Sequence, residues 1–367
     1  MRGAAVREPL IIGGGPAGAA VAISLARAGR AVTLIERSAG AHHKVCGDFL
    51  SAEAVRMVAE LGVDLAPLGP ARIGRVRVVH GDAAASALLP FLAFGLSRLA
   101  LDEALLVRAA GVGARVLRGV SVRGLGRCVD GFVVEAGGNG RWVADTVFLG
   151  TGKHDLRGAA RPWRGAELVG MKTYVRLGPE QSRALAGTVE LVLFPGGYAG
   201  LMPVEGGRAV LCWLMPRAVL RRLGVWPGAL EWLVGACPHL ARRLAGAVPL
   251  LERPVAVAGI PYGFVHRGGG GGLFRLGDQA GVIPSLAGDG VAIALLSGRL
   301  AGEAWLGGEK GAGGYHRRLR RRLRGPVRVA GMAHRLMRAG GLQGWAVAAC
   351  GRWPGLLGGL ASATRVE

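Results

Sequence analysis

The segment "PLIIGGGPAGAAVAISLARAGRAVTLIER", residues 9–37, constrains the chain more than any other. Leu10–Ile12 is an apolar run without polar alternation, as a strand buried on both faces requires. Gly13 to Gly18 form a turn. Apolar residues then recur at helical spacing over 16–28, with Gly29 as the expected C-cap, and a second apolar run ends at Glu36. Strand, glycine turn, helix and strand in so short a span predict a βαβ unit opening a doubly wound parallel sheet.

The turn reads Gly13-x-Gly15-x-x-Gly18. Gly13 permits a tight bend, Gly15 admits a pyrophosphate against the backbone, and Gly18 lets the helix close on the strand. Pro16 and Ala17 lie inside the motif and join the expected cofactor-binding set. Glu36 stands eighteen residues beyond Gly18, where an acid accepts both ribose hydroxyls of an adenosine, and Arg37 follows it. A second glycine loop, "FRLGDQAGVIPSLAGDGVAIA" at 274–294, selects the dinucleotide. Gly277 and Asp278 follow a strand, where the acid can accept from a ribityl hydroxyl. Gly288, Asp289, Gly290 and Val291 let the backbone run beside a flat ring while the next helix aims its N-terminus at the ring edge, which favours a reduced flavin. The alternative is a plain turn with Asp289 as N-cap.

Composition excludes more than it assigns. The 46 basic residues outnumber 24 acidic ones, yet they are scattered and only four are Lys, so no nucleic-acid partner is expected. The densest basic run, "YHRRLRRRLRGPVR" at 315–328, reads as a helix face, solvated or in peripheral contact with anionic lipid. Five Cys without metal-ligand spacing predict no metal site and a cytoplasmic setting, at most peripheral to the inner face of a membrane. No signal peptide or transmembrane helix is expected. A hydrophobic fraction of 51% suits a lipophilic substrate.

Four blocks, "IIGGGPAGAAVAISLARAG…LIER", "KVCGDFLS", "LFPGGYAGLMPVEGG" and "LFRLGDQAGVIPSLAGDGVAIALLSG", carry a resemblance. The chain resembles the FAD-dependent oxidoreductases of the p-hydroxybenzoate hydroxylase type, and within them the geranylgeranyl reductase branch. That resemblance implies FAD, and it places "KVCG" beside the flavin, so that Gly47 contacts the ring. Lys44 and Cys46 are then the candidate catalytic pair, with Cys46 either delivering a proton or only shaping the pocket. It also places Arg98 near the FAD phosphates and Val122 near the adenine. Where hydroxylases of this type carry an Asp-Gly pair tied to nicotinamide docking, this chain reads "GKHDLRG" at 152–158. The electron donor is therefore left between NAD(P)H and a separate reductase. "GKHDLRG" and "GDQAGVIPS" also resemble flavoproteins of polyketide-type gene clusters. No Trp-x-Trp-x-Ile-Pro block occurs, against a tryptophan-halogenase reading. Tyr198 and Tyr262 are candidates for the substrate cavity or the core.

The expected fold class is α/β. A Rossmann-like FAD-binding domain (GR2-type), built from 1–72, 96–160 and 259–310, carries an inserted antiparallel β-sheet substrate domain from 73–95 and 161–258. A C-terminal helical tail follows at 311–367, with breaks at Pro326, Gly340–Gly341 and Pro354. Residues 115–126 are expected in a hairpin with 130–138, and a helix over 227–246. The first reading of function is a flavin monooxygenase of a lipophilic aromatic or polyketide-like substrate. The others are a geranylgeranyl-reductase-like ene-reductase of isoprenoid double bonds and a non-catalytic flavin-binding protein.

Overall fold

The computed structural model of the chain describes residues 8–129, 131–162, 167–224, 226, 228–309 and 311–366. The first glycine motif enters at the middle of a five-stranded parallel sheet. Its order is Leu273–Arg275, Val147–Leu149, Leu10–Ile12, Thr33–Glu36 and Arg115–Arg118. A central position explains why Leu10, Ile11 and Ile12 alternate with nothing polar: all three are buried. The helices Pro16–Arg27 and Gly290–Leu306, which follow the two glycine loops, pack together on this sheet. Small residues set their spacing. A Cβ on Gly298 would lie 2.4 Å from the Ala17 carbonyl oxygen, so glycine is required there. The helix–sheet layer is filled by Ile23, Leu25, Leu34, Phe148, Phe274 and Leu296, each contributing ~1.5–3 kcal/mol by burial.

A three-stranded antiparallel meander, Val122–Cys128, Gly131–Ala136 and Arg141–Ala144, covers the other side through Leu125, Phe132 and Val134. The hairpin expected over 115–126 and 130–138 is thus divided. Arg115–Arg118 joins the edge of the parallel sheet, in register with Thr33–Glu36, and only the later residues form the meander.

The second body is a nine-stranded sheet. It contains Ala71–His80, Ala83–Gly95, Leu168–Arg176, Thr188–Phe194, Gly197–Pro203 and Ala209–Pro216, with shorter edge strands. Its pairings are antiparallel save one, the parallel pair of Thr188–Phe194 with Ala71–His80. Phe49–Leu50 adds to this sheet beside Ala83–Gly95, so the chain steps into the substrate sheet soon after the first glycine motif and back again. Opposite the single residue Gly74 the strand Ala83–Gly95 carries four residues, 89–92, three of them extra; Pro90, which has no N–H to give, sits in that bulge.

The expected helix over 227–246 is two helices, Gly228–Ala236 and Pro238–Leu244, since Pro238 lacks the N–H that a continuous helix needs, and residue 227 lies outside the described residues. In the tail the helix Gly313–Arg338 runs through Pro326 without a break. Gly325 has no Cβ to clash with the proline ring, and the exposed Arg322 side of the turn leaves the freed carbonyl to water. The shorter helices Gln343–Arg352 and Gly355–Ala363 then fold back against Ala83–Gly95. Among the described residues no helix is long and apolar enough to cross a membrane.

Candidate functional site

The first glycine turn is packed to the limit of its backbone. Gly13 has φ +105°, and a Cβ there would lie 2.3 Å from the Gly150 carbonyl oxygen; one on Gly18 would lie 2.0 Å from the Gly13 carbonyl oxygen. Pro16 and Ala17 open the helix at its N-terminal end, and Gly15 faces the Arg98 guanidinium, 3.4 Å from where a Cβ would stand. Glu36 is buried and accepts hydrogen bonds from the Gly14 N–H (2.8 Å) and the Ser38 N–H (3.0 Å). Burial opposes its ionisation, but the Lys44 ammonium and these two N–H groups hold its carboxyl below the ordinary range. An ionised acceptor at the strand end, a bare backbone turn and a guanidinium beside a helix N-terminus suit the adenosine and diphosphate of a dinucleotide. Arg37 meets the His154 ring at 3.2 Å. Val122, half-buried, packs against the apolar cluster of Leu125, Phe132 and Val134.

The loop 42–48 is held by donors from outside it. The Lys172 Nζ donates to the Lys44 carbonyl (3.1 Å), the Lys153 Nζ to the Val45 carbonyl (2.8 Å), and the Cys212 thiol to the Cys46 carbonyl (3.0 Å). Burial pushes the Cys212 thiol up, so it stays a neutral donor. Asp48 anchors the far end. Its side chain is wholly buried, its φ is +58°, and its carboxylate takes Lys172 (2.7 Å), the Tyr174 hydroxyl (2.6 Å) and the Arg98 N–H (3.2 Å). Burial pushes its carboxyl up, against the pull of Lys172 and Tyr174. Three of the chain's four lysines therefore meet at this loop, and the fourth, Lys310, lies outside the described residues. A compact ammonium reaches two acceptors in different directions, as Lys172 does, where a flat guanidinium would not.

Lys44 and Cys46 point to different places. The Lys44 ammonium pairs with Asp102 at 2.8 Å, and Asp102 also takes Arg98 at 2.6 Å, on the side of the diphosphate turn. Arg98 and Lys44 hold Asp102 ionised despite its burial. Cys46 and Gly47 instead line a cavity of about 290 Å³ between the large sheet and the tail helices. Its walls are Val76, Leu191, Leu193, Met202 and Leu214 from the large sheet, and it is roofed by Met337, Val347, Cys350, Leu357 and Leu360 of the tail. The second glycine loop opens on it through Asp278, Gly288, Gly290 and Val291. Gly288 has φ +70°, and a Cβ there would meet the Phe49 ring at 2.7 Å. Gly277 stands behind the loop, its N–H on the Ser297 hydroxyl. Asp289 does not line the cavity and makes no capping bond. Its buried carboxylate takes the Arg365 guanidinium (2.9 Å) and the Val366 N–H (2.8 Å), which clasps the tail over the roof. Burial raises it to about 6, against Arg365 and Ser51. The polar points of the cavity are few. Tyr198 and Tyr262 both reach the Ser285 hydroxyl, at 2.6 and 2.9 Å. Lys153 stands 3.9 Å from Asp278.

Residues 7–84 match the model of the FAD binding domain family. Digeranylgeranylglycerophospholipid reductase 2 of Methanopyrus kandleri is 28% identical over 318 residues, 81% of this chain and 76% of that protein. A menaquinone reductase of Mycolicibacterium smegmatis is 27% identical over 335 residues, 82% of this chain and 76% of that protein. The chain is an FAD-dependent oxidoreductase, similar to the geranylgeranyl reductase family. The fold of this flavoprotein is shared by a flavin-dependent brominase, at TM-score 0.78 and 17% identity over 98% of this chain and 93% of that one. It is shared as well by a geranylgeranyl bacteriochlorophyll reductase-like protein of Thermoplasma acidophilum, at TM-score 0.69 and 16% identity over 97% and 98%. In this flavoprotein Asp48, Asp102, Lys153, Lys172 and Ser285 also hold the site. Asp48, Lys153 and Ser285 fall inside the blocks "KVCGDFLS", "GKHDLRG" and "GDQAGVIPS", the scarcity of Lys was a signal for Lys153 and Lys172, and nothing in the sequence marked Asp102.

Proposed function

We propose that this flavoprotein reduces carbon–carbon double bonds in the isoprenoid part of a lipophilic substrate. The observation that carries the reading is the apolar cavity onto which both Cys46 and the second glycine loop open. The relatives named as isoprenoid-lipid and menaquinone reductases support it. In this reading Glu36 receives the ribose hydroxyls. The turn Gly13–Gly18, with Pro16, Ala17 and Arg98, faces the diphosphate, and Arg37 and Val122 border the adenosine side. Asp278 receives the ribityl chain from the Gly277 turn. Gly47 and the segment Gly288, Asp289, Gly290 and Val291 lie along the ring. Bound FAD supplies the hydride. Cys46 holds the proton that completes the addition at the other carbon, and the grip of Lys172, Lys153 and Cys212 on its loop keeps the thiol in place. Lys44 acts through Asp102 and Arg98, not on the substrate. The apolar wall excludes water from the double bond.

The second reading, oxygenation of a lipophilic aromatic or polyketide-like substrate, draws on one observation. The hydroxyls of Tyr198, Tyr262 and Ser285 make a polar point in the apolar wall that suits an oxygenated ring. One experiment separates the readings. The protein is photoreduced without oxygen and mixed with menaquinone or a geranylgeranyl lipid. Reduction shows as flavin reoxidation with a gain of two hydrogens per double bond. Turnover only with oxygen, with the oxygen found in the product, favours the oxygenase. Lack of either with FAD retained points to a non-catalytic flavin-binding protein. Adding NADPH alone, then with a separate reductase, identifies the electron donor.

A further inference from the structure

The tail that roofs the cavity has an outer face unlike the rest of the surface. Residues 311–366 hold eleven Arg and no Asp, Glu or Lys. Of the twelve large apolar side chains exposed among the described residues, six lie here, and Trp345 and Trp353 are 78% and 59% exposed. The others are Met332, Leu336, Leu342 and Leu356. So high a density in one-seventh of the chain is not the ordinary scatter of surface hydrophobes.

Helical spacing sorts these residues into faces. On Gly313–Arg338 the exposed set Arg321, Arg324, Arg328, Met332 and Arg335 forms one stripe, while Leu323, Val327, Ala330 and Met337 face inward. On Gln343–Arg352, Trp345 and Arg352 share the outer face, with Leu342 just before the helix on the same side, whereas Val347 and Cys350 face the cavity. The Arg352 guanidinium lies 5.9 Å from the centre of the Trp353 ring. Those five stripe and outer-face arginines have no carboxylate partner among the described residues. Leu336 connects the two sides of the roof, since it lines the cavity and is also 42% exposed.

We infer that this face docks the protein on an anionic lipid bilayer, with the Trp and Leu side chains in the interface and the arginines on the headgroups. Exposed Trp beside unpaired Arg is the composition of a surface-bound amphipathic segment, which lies on a bilayer without spanning it. The cavity rim at Leu336 then opens toward the acyl layer, so a lipid substrate enters without crossing water. This last step rests on the lipophilic-substrate reading above; the docking itself does not.

The test is flotation of the FAD-loaded protein with vesicles of about seven parts phosphatidylcholine to three parts phosphatidylglycerol. Binding is expected, weaker on pure phosphatidylcholine and weaker at roughly 0.5 M salt, where charge contacts are screened. The triple variant Arg324→Gln, Arg328→Gln, Arg335→Gln should lose partitioning on the order of a hundredfold. The double variant Trp345→Ser, Trp353→Ser should lose it on both kinds of vesicle. FAD absorbance and thermal unfolding report that each variant is folded, and menaquinone dispersed in detergent reports turnover apart from docking. Failure of the wild-type protein to float, or unchanged flotation of either folded variant, overturns the inference. So does a dimer in light scattering that the Trp variant converts to monomer, since a second copy would then cover the face.

Discussion

Lys172 and Asp48 form an ion pair at 2.7 Å in which both side chains are wholly buried, one from the substrate sheet and one from the loop that carries Cys46. The pair joins the two halves of the site. Breaking a buried pair leaves the other charge without a partner, which costs more than the pair contributes. Lys172→Met should therefore lower stability by ~3–5 kcal/mol. Lys172→Arg should not restore it, because a planar fork cannot serve both the Asp48 carboxylate and the Lys44 carbonyl. Denaturant unfolding of the FAD-loaded variants checks both expectations.

Glu36→Gln keeps the side-chain volume but removes the charge from a site that accepts two N–H bonds. Loss of charged hydrogen bonds of ~1.5–3 kcal/mol should weaken FAD binding roughly tenfold to a hundredfold. Fluorescence titration of the apoprotein with FAD measures this. Unchanged affinity would remove Glu36 from the cofactor site.

Cys46→Ser should lower reduction of an isoprenoid substrate at least tenfold, in keeping with the usual ~100-fold or greater share of a proton donor. The flavin spectrum and FAD affinity should stay as they are, since its carbonyl, not its thiol, is held by Cys212. Full turnover in the variant would leave Cys46 as lining only.

Acid should unfold the protein in two stages. Burial lowers His266, His316 and His334 to about 4, so the folded chain keeps them neutral where the unfolded chain protonates them. The unfolded state then binds more protons between pH 6.5 and about 4, and stability falls as pH falls through that window. Glu190 follows. Burial opposes its charge, but hydrogen bonds from His239 and Arg243 bring it to about 2, so its contribution is complete above pH 4.5 and is lost toward pH 2. Asp289, raised to about 6, and Asp48, whose carboxyl burial also pushes up, work the other way, two groups against the three histidines and Glu190. Thermal melts from pH 7 to 3 check the slope; a melting temperature that rises on acidification would refute it.

Arg365→Ala removes the tail's grip on Asp289 and the Ala287 carbonyl. Both side chains of that pair are buried, so the variant should lose ~3 kcal/mol. Amide exchange should rise first in 343–366, the helices that roof the cavity.

The cofactor half of this protein was legible in its sequence because dinucleotide binding is done by backbone. Glycines at 13 and 18 are set by close backbone approaches that no other residue satisfies, and Gly15, the acid at 36 and a second glycine loop near 280 complete a local pattern. Parallel strands buried on both faces are equally local in their signal, so the βαβ opening and the return at 272–305 could be read directly. The large sheet was legible as strands but not as an order, because pairing is a long-range choice. Thr188–Phe194 lies parallel to Ala71–His80 across more than a hundred intervening residues. What holds Cys46 was hidden for the same reason. Lys153, Lys172, Tyr174 and Cys212 are brought to one loop from three separate parts of the chain, and burial alone makes their bonds matter. The roof was hidden most completely. Whether a basic helix faces water or closes a cavity depends on what its apolar side finds, and only folding supplied the strand Ala83–Gly95 and the Asp289 carboxylate that hold it there.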